Sequence, residues 1–172
     1  MHLASEILIS EDEIKRRVDA MATAIAADTA EGDRISVLAL MDGAFMFCSD
    51  LVRRLTHPVQ LAFVPLVSVR RGGDPSRLDL PADFPVRGAD LLVVEDILDT
   101  GRTLSVLRSV LRELQPRRIR MAVLLDKPAH RAVEIEPDYV GFTVEDRWVV
   151  GYGLDWDGLY RNLPYISYVE QD

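Results

Sequence analysis

Several features are scarce in this chain of 172 residues, and each absence excludes a class of protein. The single cysteine, Cys48, excludes an internal disulfide and fits a reducing compartment. Its apolar neighbours Phe45, Phe47 and Leu51 predict that it is a core residue. No apolar run approaches the length of a membrane-spanning helix, and the first residues lack the basic and apolar regions of a secretory signal. We therefore expect a cytoplasmic protein that has no contact with a membrane.

Positive charge is also in short supply. The chain has 20 Lys and Arg residues against 28 Asp and Glu, which gives a net charge of −8 at pH 7. Proteins whose main partner is a nucleic acid carry clustered basic residues, so this balance argues against nucleic acid as a partner. The adjacent arginines at 53–54, 70–71 and 117–118 are expected to lie on solvated faces or at contacts between subunits. An anionic substrate would need a metal ion or a few well-placed cations.

The pattern of apolar residues predicts an α/β fold in one domain. Runs typical of buried strands lie at Ile35–Met41, Gln60–Val69, Asp90–Glu95, Ile119–Leu125, Tyr139–Val144 and Val149–Leu154. Apolar residues at helical spacing follow the capping box Ser10–Glu13. The same spacing predicts two further helices, one from Phe45 to about Leu55 and one from Leu104 to Leu114. The segment 70–87, rich in Gly and Pro, predicts a long mobile loop or a ragged hairpin. Alternating strands and helices favour a mostly parallel twisted sheet flanked by helices.

Charged and small residues follow three of the predicted strands. Asp42-Gly43 comes after the first strand, Glu95-Asp96 after the third, and Asp126-Lys127 after the fourth. Ligands of parallel sheets bind beyond the carboxyl ends of the strands. We therefore expect the functional site at this edge of the sheet.

The segment from Asp99 to Thr103 has the composition of a phosphate-binding loop. Gly101 permits a backbone turn that other residues resist, and the amides of such a turn can bind one anion together with the following helix N-terminus. Thr100 and Thr103 add hydroxyl donors. The alternative is an ordinary strand-to-helix turn capped by threonine. A Walker A loop is excluded because no G-x-x-x-x-G-K-[ST] run occurs.

Glu95 and Asp96 precede this loop. Neighbouring side chains on a strand point to opposite faces, so both can reach one ligand only where the strand end is frayed. Carboxylates accept hydrogen bonds from vicinal ribose hydroxyls and attract Mg²⁺. Two acids would repel a bare phosphate, so the pair favours a sugar–metal complex over the alternative of solvated acids that merely end a strand.

The run LLVVEDILDTGRTL at 91–104 resembles the phosphoribosyl-pyrophosphate (PRPP) motif of the type I phosphoribosyltransferases. The segments DKP at 126–128, WVVGYGLD at 148–155 and YRNLPYI at 160–166 are similar to the hypoxanthine-guanine branch of that family. The resemblance spans roughly residues 35 to 169. It implies the type I phosphoribosyltransferase fold, with a small hood built from the C-terminal segment, about residues 145–172.

The resemblance also implies a role for each residue. Glu95 and Asp96 would hold the ribose hydroxyls with magnesium nearby, and Asp99 would be the general acid or base beside N7 of the purine. The other implied residues are the 5′-phosphate loop Thr100, Gly101, Arg102 and Thr103, the donor Lys127 at the C6 oxygen, the stacking residue Trp148, the Val149 backbone at the C2 edge, the metal ligand Asp155 and the pyrophosphate ligand Arg161.

Elementary chemistry supports two of these roles. Lys127 has three donors and no acceptor, so it favours a 6-oxopurine over a 6-aminopurine such as adenine. The aromatic face of Trp148 suits a flat base in a site that is otherwise full of charge. The alternatives are a solvated Lys127 at a strand end and a Trp148 that belongs to the core.

Two positions depart from the family pattern. The loop after the first strand usually reads Leu-Lys-Gly, often with a cis peptide whose amide binds pyrophosphate, whereas this chain has Met41-Asp42-Gly43. An acid at position 42 should weaken the contact with pyrophosphate unless it points outward or binds metal. The mobile loop of the family commonly contains Ser-Tyr, whereas this chain has Ser68-Val69 followed by Arg70-Arg71. We hypothesise that these arginines replace part of the lid.

The expected protein is therefore a magnesium-dependent enzyme of purine salvage, which takes PRPP and a purine base and releases pyrophosphate and a nucleotide, IMP or GMP. The resemblance implies a homodimer or homotetramer, with Phe45, Phe47 and Arg53-Arg54 as plausible contacts. Three alternatives stay open: a nucleotide sensor that regulates RNA, a transferase for xanthine or a pyrimidine, and a subunit without activity. The sequence does not rank hypoxanthine, guanine and xanthine.

Overall fold

The computed structural model describes residues 2–65 and 80–170, so the predicted lid residues 68–71 lie outside the described residues. Its strands are β1 (His2–Leu3), β2 (Ile35–Met41), β3 (Val59–Pro65), β4 (Asp90–Leu98), β5 (Arg118–Asp126), β6 (Tyr139–Thr143), β7 (Val149–Val150) and β8 (Ser167–Glu170). Its helices are α1 (Glu11–Ala27), α2 (Phe45–Val52), α3 (Arg102–Glu113) and the 3₁₀ turn Pro128–His130. Within the described ranges, none of the helices combines the length and the apolarity needed to cross a membrane.

Five parallel strands form the main sheet in the order β3-β2-β4-β5-β6, which confirms the predicted fold class. β4 lies at the centre between β2 and β5, and its first seven residues are buried. A strand covered on both faces requires an apolar run such as Leu91–Val94 within it. Because all five strands run in one direction, the loops that follow them meet at one edge of the sheet.

β4 is longer than the sequence predicted. We expected it to end at Glu95, but it continues to Leu98 because the ladder with β5 does not stop at the acids. Ile97 is paired with Leu125 and Leu98 with Asp126, and the Leu98 side chain is buried. Glu95 and Asp96 are therefore part of the strand and do not lie at a frayed end.

The core occupies both faces of this sheet. α1 and α2 cover one face and α3 covers the other. The capping box of α1 is present, since the Glu13 amide donates to Ser10 Oγ at 3.3 Å and the Glu13 carboxylate accepts the Ser10 amide at 2.8 Å. Cys48 is fully buried, as predicted. Phe47 is buried too, so its predicted place at a subunit contact is wrong: its face of α2 packs on the sheet.

α2 and β3 differ from the prediction at their ends. α2 ends at Val52 instead of about Leu55, because the Arg54 amide donates to the Leu51 carbonyl and tightens the last turn. β3 begins one residue earlier than predicted and is described to Pro65. The remainder of the predicted strand, 66–69, lies outside the described residues.

A second, three-stranded sheet has the order β1-β8-β7. The C-terminal segment supplies β7 and β8, and the N-terminal strand β1, which the sequence did not reveal, pairs with β8 through His2–Glu170. The predicted strand 149–154 is only two residues long. Gly151, Tyr152 and Gly153 have φ values of 98°, 49° and 101°, in the left-handed region, so the backbone turns there.

Candidate active site

A cavity of about 310 Å³ lies at the carboxyl ends of β4 and β5, at the edge of the sheet that the sequence predicted. The second sheet closes it from the other side with β7 and the turn that follows. Its lining consists of Glu95, Asp96, Ile97, Leu98, Asp99, Thr100, Gly101, Thr103, Leu104, Lys127, Trp148, Val149, Leu154 and Asp155. Ten of these fourteen residues were predicted from the sequence as site residues, so the structure brings most of the predicted set into one concave space.

Glu95 and Asp96 both line the cavity, although they are neighbours on a paired strand. They are 3% and 7% exposed, which is unusual for carboxylates. Asp96 Oδ1 accepts the Ile97 amide at 2.8 Å, and this bond fixes the orientation of its side chain. Two buried acids therefore form one wall of the cavity.

The loop from Asp99 to Thr103 turns at Gly101, as the predicted phosphate site requires. Gly101 has a φ of 78° and directly precedes α3, whose first-turn amides have no partners within the helix. A side chain at Gly101 would also collide with Ile135, whose Cγ2 would be 2.5 Å from the new Cβ. Thr100 and Thr103 line the cavity, whereas Arg102 is exposed and lies outside its lining.

Lys127 is buried, with 8% of its surface exposed, so the alternative of a solvated strand end is wrong. Its backbone amide donates to the Leu98 carbonyl at 2.9 Å, which joins the ends of β4 and β5. Its ammonium group donates to the Arg147 carbonyl at 2.6 Å. That bond uses one of three donors, and the ammonium group has two more to offer a ligand in the cavity.

Trp148 lines the cavity and is 58% exposed, so the alternative of a core tryptophan is wrong. Its indole N–H donates to the Asp155 carbonyl at 3.1 Å, and Trp156 packs edge-on against its ring with the centroids 4.9 Å apart. These two contacts hold the ring while a large part of it stays open. Val149 beside it is paired with Tyr168 in the second sheet, which fixes its backbone.

Asp155 and Arg161 contact each other at the hood side of the cavity. Arg161 Nη2 is 2.8 Å from Asp155 Oδ1, and Arg161 Nη1 donates to the Gly153 carbonyl at 2.5 Å. Asp155 Oδ2 accepts the Gly158 amide at 2.8 Å. Asp155 lines the cavity, whereas Arg161 does not.

Asp42 and Gly43 do not line the cavity either, but their loop borders it. The Met41–Asp42 peptide bond is cis, as in the loop of the family that this sequence resembles. Gly43 packs so tightly against Asp96 that a Cβ built on it would lie 1.6 Å from Asp96 Oδ2. The Gly43 carbonyl in turn contacts Gly153, so this loop lies between the acids of β4 and the hood. Asp42 itself is exposed.

Two residues beside the cavity, His130 and Asp146, were not predicted from the sequence. His130, on the 3₁₀ turn, has Nδ1 3.0 Å from Asp99 Oδ1 and Nε2 2.5 Å from Asp146 Oδ2. The signal for His130 was its place three residues after Lys127, in a loop that follows a parallel strand. Nothing in the sequence marked Asp146, because its partner is distant along the chain.

Among the described residues that line the cavity, the only Asp, Glu, His or Cys side chains are carboxylates. Within ranges 2–65 and 80–170, no group of three or more His, Cys, Asp or Glu side chains could hold a metal ion. Any metal here would take one or two protein oxygens and complete its shell with water or substrate, which is the habit of Mg²⁺.

A family model described as the phosphoribosyl transferase domain matches residues 6–157. Hypoxanthine phosphoribosyltransferase of Salmonella typhimurium is 38% identical over 170 residues, which cover 95% of this chain and 94% of that enzyme. The bifunctional protein TilS/HprT of Listeria monocytogenes is also 38% identical over 170 residues, and the chain spans 26% of its length. A crystal structure of a hypoxanthine-guanine phosphoribosyltransferase from Bacillus anthracis has a TM-score of 0.86 at 35% identity, with 99% of this chain and 100% of that chain covered.

Proposed function

This chain belongs to the phosphoribosyltransferase family, a group of pentosyltransferases, and we propose that it transfers the 5-phosphoribosyl group of PRPP to N9 of hypoxanthine or guanine. The products are pyrophosphate and IMP or GMP, as in purine salvage. One observation supports the choice of a 6-oxopurine: the buried Lys127, whose ammonium group has donors beyond its bond to the Arg147 carbonyl, lines the same cavity as the open ring of Trp148 and the loop 99–103.

The sugar phosphate end of PRPP is assigned to β4 and the loop behind it. The amides and hydroxyls of Thr100, Gly101 and Thr103 bind the 5′-phosphate with the help of the α3 N-terminus. Glu95 and Asp96 accept hydrogen bonds from the ribose hydroxyls. Their charge also stabilises the anomeric carbon, which becomes electron-poor as the bond to pyrophosphate breaks.

The purine end is assigned to the loops after β4, β5 and β6. The base stacks on Trp148, Lys127 donates to its C6 oxygen, and the Val149 backbone reads its C2 edge. The bond from the anomeric carbon to N9 forms as the bond to pyrophosphate breaks. The proton that the imidazole ring must lose passes to Asp99, whose carboxylate lines the cavity.

The residues present fit magnesium, because the carboxylates Glu95, Asp96 and Asp155 line one cavity. Among the described residues, no group of three or more such side chains encloses a metal site, so the ion would complete its coordination with water or substrate, as Mg²⁺ usually does. Bound there with PRPP, the ion would neutralise charge on the leaving pyrophosphate. Arg161, paired with Asp155 at the hood side, is the cation that we assign to pyrophosphate. Asp42 stands where the family usually has lysine, so the loop that borders this region supplies no positive charge there.

We assign the chain to the cytoplasm, since its single cysteine forms no internal disulfide, which fits a reducing compartment. We also propose that it is a homodimer or homotetramer. The exposed Leu61 and Phe63 on the edge strand β3, which are 39% and 47% exposed, are better candidates for the contact than the buried Phe47.

The test is nucleotide formation from PRPP and Mg²⁺ with hypoxanthine, guanine, xanthine and adenine supplied separately. We expect turnover of hypoxanthine or guanine, none with adenine, and none after chelation of the metal. Asp99→Asn should lower kcat by about 10²–10⁴-fold, the usual contribution of a general acid or base. Asp12→Asn, the same change at an exposed position of α1, is the control and should leave kcat unchanged.

Turnover of adenine, or turnover that survives chelation, would contradict the roles of Lys127 and the metal. Turnover confined to xanthine or a pyrimidine would move the chain to another acceptor within the family. Binding of PRPP without turnover of any base would replace the transferase with a nucleotide sensor, and absence of both would indicate a subunit without activity.

A further inference from the structure

We infer that His130 is a positioning residue of this reaction, which bridges Asp99 and Asp146 and thereby fixes the purine end of the cavity. The inference rests on the proposed function, since Asp99 is the group assigned to the purine proton. His130 does not line the cavity, and it acts through the residues that do.

The geometry is that of an imidazole held between two carboxylates. His130 Nδ1 is 3.0 Å from Asp99 Oδ1, and His130 Nε2 is 2.5 Å from Asp146 Oδ2. An ionised carboxylate only accepts hydrogen bonds, so both contacts are hydrogen bonds when both ring nitrogens carry a proton. The bridge is therefore complete in the imidazolium form, with one positive charge between two negative charges.

Two cationic side chains, Lys127 and Arg131, lie beside this bridge. Lys127 Nζ is 3.9 Å from Asp146 Oδ1, whereas His130 contacts the other oxygen of that carboxylate, Oδ2. Arg131, the next residue after His130, donates to the Asp99 carbonyl at 2.7 Å and forms an ion pair with Asp126. Asp99 is thus held at its backbone by Arg131 and at its side chain by His130.

The bridge joins two loops whose relative position matters for the proposed reaction. Asp99 belongs to the loop after β4, whereas Asp146 belongs to the loop between β6 and β7. The residues that follow Asp146 are Arg147, whose carbonyl accepts a hydrogen bond from Lys127, and Trp148, which lines the cavity. His130 therefore sets the separation between the proton acceptor on one side of the base and the stacking and donor groups on the other.

Stability of the fold does not account for this arrangement. The side chains of Asp99, His130 and Asp146 are 46%, 41% and 57% exposed, and exposed ion pairs contribute little to folding. Asp99 Oδ1 is the oxygen that contacts His130. Orientation of Asp99 is the effect that the bridge is able to supply.

Steady-state kinetics with His130→Gln and Asp146→Asn test the inference, with His57→Gln as the matched control. His57 lies between α2 and β3, toward the opposite edge of the sheet. We expect either bridge variant to lower kcat/KM for the purine about 10-fold, less than the roughly 10²-fold effect of a 1 Å misplacement. The KM for PRPP and the melting temperature should stay at the wild-type values, because neither the ribose site nor the core is touched.

A double-mutant cycle separates positioning from a general structural role. If His130 acts through Asp99, His130→Gln should cause no further loss in the Asp99→Asn background. An equal loss in both backgrounds, or an equal rise in the KM for PRPP, would overturn the inference.

Nitrogen-15 NMR of the imidazole rings provides a readout that does not depend on turnover. The chain has three histidines, so the rings can be assigned with single variants. The His130 nitrogen shifts should change in Asp99→Asn and in Asp146→Asn, while those of His57 should not. Unchanged His130 shifts would reject the bridge, whereas a wild-type chain that turns over no base would reject the transfer reaction and, with it, the role of His130 in catalysis.

Discussion

The tight contact between Gly43 and Asp96 leads to a testable prediction about the proposed ribose site. In Gly43→Ala, the new Cβ would lie 1.6 Å from Asp96 Oδ2 and 2.5 Å from Asp96 Cγ. Ordinary van der Waals contact begins near 3.4 Å, so the two groups must separate by about 1.8 Å. The φ of Gly43 is not in the left-handed region, so alanine is compatible with the local backbone and the overlap is the main perturbation.

Asp96 is the group that must yield. It is 7% exposed and held by the Ile97 amide, so its carboxylate has to leave its place in the wall of the cavity. A misplacement of 1 Å can cost about 10²-fold in rate. We expect kcat/KM for PRPP to fall at least about 10²-fold in Gly43→Ala, with a smaller effect on the KM for the purine.

A double-mutant cycle with Asp96→Ala decides whether the effect travels through this carboxylate. In the Asp96→Ala background, Gly43→Ala meets no Oδ2 or Cγ, so it should lower kcat/KM for PRPP by no more than a few-fold. Initial rates at varied PRPP, together with thermal melts, provide the measurement. A loss of equal size in both backgrounds would refute the reasoning, and so would a Gly43→Ala enzyme with wild-type kcat/KM for PRPP.

Three further predictions concern groups outside the cavity. Burial raises the pKa of the Cys48 thiol to about 12, so Cys48 should react with a thiol reagent only after denaturation; labelling of the native protein at neutral pH would contradict this. Arg120→Met should lower the free energy of unfolding by about 3 kcal/mol in urea titrations, the low end for a broken buried pair, because among the described cations the fully buried Asp90 then keeps only Arg118 within 3 Å. A loss under about 0.5 kcal/mol, typical of a surface change, would refute it. Burial tends to raise the pKa of Asp50, but hydrogen bonds from Tyr152 at 2.6 Å and from Arg53 outweigh burial and lower this pKa in the folded state. The ionised Asp50 therefore stabilises the fold at neutral pH. This contribution is lost as the pH falls through the lowered pKa. The difference in melting temperature between wild type and Asp50→Asn should therefore shrink in acid, and a constant difference from neutral to acidic pH would contradict this.

The sequence predicted the parts of this fold that depend on local signals. The capping box at Ser10 and the apolar run at Ile35–Met41 determine α1 and β2 without help from distant residues, and both were predicted correctly. The end of β4 was not predictable in the same way. Two acids look like the end of a buried strand, and only the ladder with β5, which pairs Leu98 with Asp126, extends the strand past them.

The candidate site shows the same division. Lys127 and Trp148 were found because they belong to contiguous motifs, and the cavity contains both. His130 and Asp146 were missed because their link depends on the packing of two loops that lie sixteen residues apart in the chain. β1 was missed for a similar reason, since a two-residue strand has no periodicity and exists only through its pairing with β8.

The charge of the cavity constrains the form in which its substrate binds. Among the described residues that line it, four are acids, Glu95, Asp96, Asp99 and Asp155, and one is a cation, Lys127, which lies at the end assigned to the base. A free polyphosphate ester would therefore meet net repulsion at the end that we assign to the ribose, and in our proposal the amides before α3 bind only its 5′-phosphate. The departure at Asp42 deepens this deficit, because the lysine usual in the family is absent from the loop that borders the acids. The chain has a net charge of −8, so the positive charge that attracts such a substrate must come largely from a divalent ion bound to the substrate itself. The affinity for PRPP should therefore depend much more steeply on the metal concentration than the affinity for the purine does.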